Sequence, residues 1–222
     1  MDSIDDLDFS KTYTYADYYS WRFRERVELI RGKVFPMVNY PGAFCMGANH
    51  QTILGNIATE IWNFFNKEGE IGKVFIAPFD VRLIDKSRYD EDVTNVVQPD
   101  ISVFLNRANL DERGGIGSPE IVVEILIPGN NLTELKQKFQ LYEDFGIAEY
   151  WIVFAEEQSL LRYTLDHTGR YTAGKILTNG EKLTTPILPG FELTMDAVFH
   201  KVIDFTKMNG SPEDGVTEVR FI

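Results

Sequence analysis

The chain has 222 residues, enough for one domain with a substantial core and too few to suggest a second independent one. Its composition, 44% hydrophobic and 25% charged, excludes wholesale disorder, and a net charge of -12 opposes polyanions unless a local basic patch receives them. A lone cysteine, Cys45, excludes an internal disulfide, the opening MDSIDDLDFS lacks the basic and apolar regions of a secretory signal, and no stretch approaches the roughly 20 apolar residues of a membrane span, so a soluble cytoplasmic protein is expected.

In chain order, residues 1–12 read as a flexible acidic arm, 13–205 as one compact domain and 206–222 as a C-terminal tail. TYADYYSW suggests a short aromatic helix, and VELIRGKVFPM a hairpin turning at Arg31-Gly32, where glycine takes positive φ. Between Met46 and Lys67, Ile53, Ile57, Ile61 and Phe64 recur at helical spacing, with Gly69 ending the pattern. Strands are expected at 73–77, 79–84, 97–105 and 120–127, the last two joined through GGIGSP, which reads as a flexible loop. A second helix is expected at 132–145, with Asn131 as N-cap, Glu134 in capping-box position and Gly146 at its end. Then come strands in EYWIVF, SLLRYTL, YTAGKIL and LTTPILPGF, and a short helix near 196–205. This order predicts an α/β (α+β) fold around a mixed sheet, not a doubly wound parallel one.

Two acids stand out. In QPDISVF, strand alternation puts Asp100, Ser102 and Phe104 on one face; in EIVVEILIP it groups Val122, Glu124 and Leu126. Sequential strands usually pair, so the two carboxylates can meet across the sheet. Two buried carboxylates repel unless a cation lies between them, and Mg²⁺ favours one or two carboxylates with waters and phosphate oxygens. Each acid alone has a plain structural explanation: Asp100 as the cap of a strand end, Glu124 as one half of a salt bridge. The pattern of both, followed by a lysine-bearing helix, points to metal-assisted chemistry.

The segments VVQPDISVF, EIVVEILIP and KFQLYEDFGIAEYWIV, together with VELIRGKVFPM, the helix carrying His50, APFDVRL and ILPGF, resemble the bacterial Uma-two family, a branch of the PD-(D/E)XK nuclease superfamily. The likeness spans about residues 12–200. It implies a restriction-endonuclease-like mixed β-sheet flanked by helices and an Mg²⁺- or Mn²⁺-dependent endonuclease acting on DNA. Asp100 and Glu124 match the family's metal-binding acids, the backbone carbonyl of Ile125 completes the metal set, and Glu28 matches an acid of the first hairpin that serves as an accessory ligand or orients the lysine.

The superfamily's lysine ordinarily lies two residues after the second acid, where this chain has Leu126. Helix geometry leaves Lys136 and Lys138 equivalent, on either side of the Leu132, Leu135, Phe139 and Tyr142 stripe. The resemblance selects Lys138, four residues before a tyrosine. The family's Ser-Pro-Ser-like turn is replaced by IPGNN. Leu126, that turn and the negative charge support a rival reading, a non-catalytic nucleic-acid-binding or interaction module retaining the nuclease fold. A homodimer fits cutting of both strands, which needs two sites.

Other signals carry less. His50, His167 and His200 lack metal-ligand spacing, and no Walker lysine or G-x-S-x-G elbow occurs. His50 and Asp80 read as structural residues, and WRFRER, with alternating basic and aromatic residues, is explained equally by a solvated turn or by a nucleic-acid surface.

Overall fold

The computed structural model describes residues 1–37, 47–126 and 132–204, with the side chains of 132–134 outside the description. Met46, Cys45, Asn131, the IPGNN turn, the Glu134 side chain and the expected tail therefore lie outside the described residues. In the first twelve residues, Ile4–Asp6 forms a 3-10 turn and Leu7 is buried with Tyr13, Val27 and Val34.

Helix α1 (Tyr15–Ser20) starts where the Thr14 side chain accepts from the Asp17 N–H and Asp17 accepts in return from the Thr14 N–H, a reciprocal cap. Strands β1 (Val27–Ile30) and β2 (Lys33–Pro36) form the expected hairpin, and both turn residues, Arg31 and Gly32, take positive φ. Helix α2 (Ala48–Lys67) buries Ile53, Ile57 and Ile61 completely. Strands β3 (Lys73–Ile76), β4 (Val81–Arg82), β5 (Val96–Val97) and β6 (Ile101–Phe104) follow. The single strand expected over 97–105 is thus two. Pro99 lacks the N–H a continuous ladder needs, and the chain changes sheets across Gln98-Pro99-Asp100.

The GGIGSP segment is not a flexible loop. Strands β7 (Leu110–Asp111) and β8 (Gly114–Ile116) form a tight hairpin whose second arm is buried. The glycines are there for close approach: a Cβ on Gly115 would sit 2.6 Å from the Phe104 ring. Arg82, fully buried, ties this hairpin to β4 through the Gly115 carbonyl and the Asp111 carboxylate, and its guanidinium lies over the Tyr15 ring.

Strand β9 (Ile121–Leu126), helix α3 (Leu132–Asp144) and strand β10 (Glu149–Phe154) make a β-α-β crossover, with β9 and β10 parallel. Strands β11 (Ser159–Leu165) and β12 (Tyr171–Leu177) extend the sheet, a hairpin of β13 (Lys182–Thr185) and β14 (Leu188–Thr194) stands apart, and α4 (Met195–Val198) closes the described part. The strands form two six-stranded sheets, ordered β2-β1-β5-β4-β8-β7 and β12-β11-β10-β9-β6-β3. Each sheet has one parallel pair among antiparallel ones, which gives the expected mixed α+β class. Among the described residues no helix is long and apolar enough to cross a membrane.

The second sheet has two different faces. One carries Ile101, Val103, Ile121, Val123, Trp151 and Val153 against α2 and α4. The other carries Phe104, Val122, Tyr150 and Ile152 against α3 and the first sheet. Burial of both faces explains the near-continuous apolar runs of β6, β9 and β10. It also makes any acid on the inner face conspicuous.

Backbone geometry distinguishes two glycine substitutions. Gly114 has φ +129, and a Cβ there would meet the Asp80 carbonyl oxygen. Gly114→Ala should therefore lower the melting temperature by at least about 3 °C, from a strain of about 1–3 kcal/mol. Gly55, exposed within α2 with open space around it, should tolerate alanine with unchanged or raised stability, by up to about 1 kcal/mol. Scanning calorimetry of the two variants checks both signs.

Candidate active site

Strands β6 and β9 pair antiparallel with Ile101 opposite Val123 and Ser102 opposite Val122. Continuing that register by one residue sets Asp100 opposite Glu124, where the sequence places the two acids. Both are buried, at 7% and 8% exposure. Glu124 stands on the face shared by Val122 and Leu126, between the second sheet and α3.

Asp100 is held from two sides. Its Oδ2 accepts from the Ile125 N–H at 2.7 Å, so the acid of one strand end is fastened to the strand bearing the other acid. Its Oδ1 lies 3.1 Å from Nε2 of His50, which is buried at the first turn of α2 and is too far off line for a hydrogen bond.

Lys138 joins the cluster from α3. Its Nζ lies 3.0 Å from Oε1 of Glu124 and 3.0 Å from Oε1 of Glu28. Lys136, the other lysine that helical geometry allows, is exposed, while Lys138 is buried. Tyr142, one turn beyond Lys138, donates its hydroxyl to the same Glu124 Oε1 at 2.9 Å. Glu28, fully buried on β1, also accepts from the Gln98 N–H at 2.7 Å, while its Oε2 is buried without a hydrogen-bond partner. All four side chains named from the sequence, Glu28, Asp100, Glu124 and Lys138, thus belong to one buried group.

The charges do not balance. Among the described residues three carboxylates face one ammonium, which leaves two negative charges when His50 is neutral and the acids are ionised. Burial pushes the Glu124 carboxyl up to about 7; Lys138 opposes this, while the Asp100 and Glu28 charges reinforce it. Burying an uncompensated charge costs several kcal/mol, so an imbalance of this size marks a place where a cation is missing or a proton is held.

The donor set fits a small hard cation on chemical grounds: carboxylate oxygens, among them an orphaned Glu28 oxygen. Among the described residues, however, no three His, Cys, Asp or Glu side chains are drawn together closely enough to enclose a metal by themselves. The fit is therefore to an ion held by one or two carboxylates and completed by backbone, water or substrate oxygens, the habit of Mg²⁺.

Sequence reasoning undervalues two members of this group. His50 reads as a structural histidine, yet it faces the first acid directly. Tyr142 belongs to the apolar stripe, yet its hydroxyl reaches the second. The signal for Tyr142 is its spacing four residues after the lysine; no spacing signal links His50 to a residue fifty positions away. Asp80 does not join the acids: its Oδ1 accepts from Tyr18 and Gln98, and burial raises its pKa.

The crystal structure of "a putative nuclease belonging to DUF820" from Anabaena variabilis ATCC 29413 is similar to this one, with a TM-score of 0.62 over 84% of this chain and 97% of that chain. The two are 19% identical, so the likeness is one of fold. No curated protein matches the chain. The model of the family described as "Uma2: Putative restriction endonuclease" matches residues 15–196, most of the chain and every residue of the acid-lysine cluster, and the chain belongs to that family.

Proposed function

We propose that the chain is a divalent-metal-dependent endonuclease that hydrolyses DNA phosphodiester bonds. The observation that carries this reading is the surplus of buried carboxylates around a single lysine. Asp100, Glu124 and the Ile125 carbonyl would hold Mg²⁺ or Mn²⁺. The bound ion would supply Lewis acidity toward the phosphodiester and lower the pKa of an attacking water.

The chain's own groups have distinct roles. Lys138 presents an ammonium to the charge that builds on the phosphate oxygens in the transition state. Glu28 positions that ammonium through its 3.0 Å contact and is itself positioned by the Gln98 N–H. The Tyr142 hydroxyl fixes one oxygen of Glu124, which orients the other. The Ile125 N–H does the same for Asp100. A homodimer is the simplest arrangement for cutting both strands.

One observation favours the rival, a binding module that keeps the nuclease fold: Glu124 Oε1 already receives both Lys138 and Tyr142, so part of the acid charge is answered within the protein. The two readings differ in their response to metal.

Three outcomes are expected from the nuclease reading. Plasmid DNA should be cut with Mg²⁺ or Mn²⁺ and not with EDTA, and Asp100→Ala or Lys138→Ala should each reduce the rate by about 10²–10³-fold. Equal cutting by wild type and Asp100→Ala sinks the assignment.

Metal should also stabilise the fold. At a hundredfold excess over Kd the gain is about 2.7 kcal/mol, read as a rise of about 5–10 °C in melting temperature, and Asp100→Ala should abolish it. No shift at millimolar metal favours the rival.

The third outcome concerns pH. The folded-state pKa of Glu124 is raised, so the native protein holds a proton that the unfolded chain has released, and this carboxyl's contribution to stability is lost as pH rises from 4.5 through about 7. Metal-free protein should therefore lose stability between pH 5 and 8, and Glu124→Gln should flatten that slope. Metal requires the ionised carboxylate, so its affinity should rise over the same window. Isothermal titration at pH 6 and 8 measures this.

A further inference from the structure

On the outer side of β1 lies a cavity of about 280 Å³, walled by Tyr18, Trp21, Phe23, Arg26, Val27 and Gln98. It is small for a ligand pocket, whose range begins near about 300 Å³. Its wall is aromatic in an ordered way: the Trp21 and Phe23 rings stack with centroids 5.3 Å apart and planes 28° from parallel, and Tyr18 lies 5.6 Å from Trp21. Trp21, Phe23 and Tyr18 are only partly buried.

Arg26 supplies a polar edge. Its Nε donates to Gln98 Oε1 at 2.8 Å, while one terminal nitrogen is buried with no hydrogen-bond partner. Two more arginines, Arg22 and Arg24, alternate with the aromatic residues and are exposed. Among the described residues no ion pair joins Arg22, Arg24 or Arg26 to an acid. Glu25, also on the wall, is exposed. On a chain of net charge -12, three arginines set against Glu25 and the neighbouring Asp80 make this edge locally basic.

The pocket and the acid cluster share β1 from opposite sides: Val27 lines the pocket, and the next residue, Glu28, turns the other way into the cluster. Gln98 serves both: its side chain takes the Arg26 donor, and its backbone N–H binds Glu28.

We infer that this aromatic and arginine-lined pocket binds an unpaired nucleobase of the substrate strand. Stacking on Trp21 and Phe23 holds the base face, Arg26 on the wall supplies positive charge to the polar edge of the base, and Arg22 and Arg24 meet the flanking phosphates. Every base has a π face, so the pocket tolerates sequence and selects single-stranded or splayed DNA. The inference deepens the nuclease reading and rests on it for the identity of the ligand, but base binding is measurable without cleavage.

The test uses full-length protein carrying Asp100→Asn, in EDTA, titrated with trithymidylate and with an abasic sugar-phosphate trimer of equal charge. The intact trimer should quench tryptophan fluorescence and bind at least about tenfold more tightly than the abasic one. Trp21→Phe should remove the quench while retaining affinity, and Arg26→Gln should weaken the intact trimer alone. Equal affinity for the two trimers, or a quench unchanged in Trp21→Phe, overturns the pocket. Discrimination between trimers in a protein whose wild type never cuts DNA would keep the pocket and discard the nuclease; metal-dependent cutting without discrimination would do the reverse.

Discussion

The arrangement of the whole site depends on one shared ammonium. Lys138 reaches two carboxylates from two different sheets, Glu28 of the first and Glu124 of the second, at the same distance. In water such pairs are worth little, but here every partner is buried, so the attraction is strong and its absence would be expensive. The lysine is thereby a structural tie. It holds the two sheets and α3 in register at the point where the acids gather, and it leaves the cluster short of positive charge.

The sheets meet there because of a brief irregular stretch. Gln98-Pro99-Asp100 carries the chain from β5 in one sheet to β6 in the other. Each of the three residues contributes differently: Gln98 binds Glu28 through its backbone, Pro99 ends the ladder, and Asp100 accepts the Ile125 N–H of the adjoining strand. A regular strand could not place these groups, since its own ladder would consume the N–H of Gln98. The proline is thus part of how an acid comes to stand at a seam between sheets.

Much of this is legible in the sequence, and the reason is periodicity. Alternation in β6 and β9 puts Asp100 and Glu124 on matching faces, and the helical stripe of α3 places Lys138 at its margin. What periodicity does not supply is anything decided by distance along the chain. His50 meets Asp100 across fifty residues, and Glu28 meets Lys138 across more than a hundred. The GGIGSP segment looks like a loop because glycine is a loop residue by default, whereas there it is needed so that β8 can lie against Phe104. The residues that family resemblance selects, Lys138 above all, converge in space; helical geometry alone leaves two lysines equal.

Placing the amine on a helix while the acids sit on or beside strands has a thermodynamic effect of its own. In a site built on one strand, amine and carboxylate are fixed together as soon as the sheet forms. Here they come together only when α3 docks, since the helix contributes Lys138 and Tyr142 while the carboxylates come from the strands and the turn between β5 and β6. Local detachment of that helix would separate Lys138 and Tyr142 from the acids while β6, β9 and β10 stayed paired, and such an opening would cost less than global unfolding. Amide exchange along α3 would then report parting of amine and carboxylates more closely than exchange in the central strands.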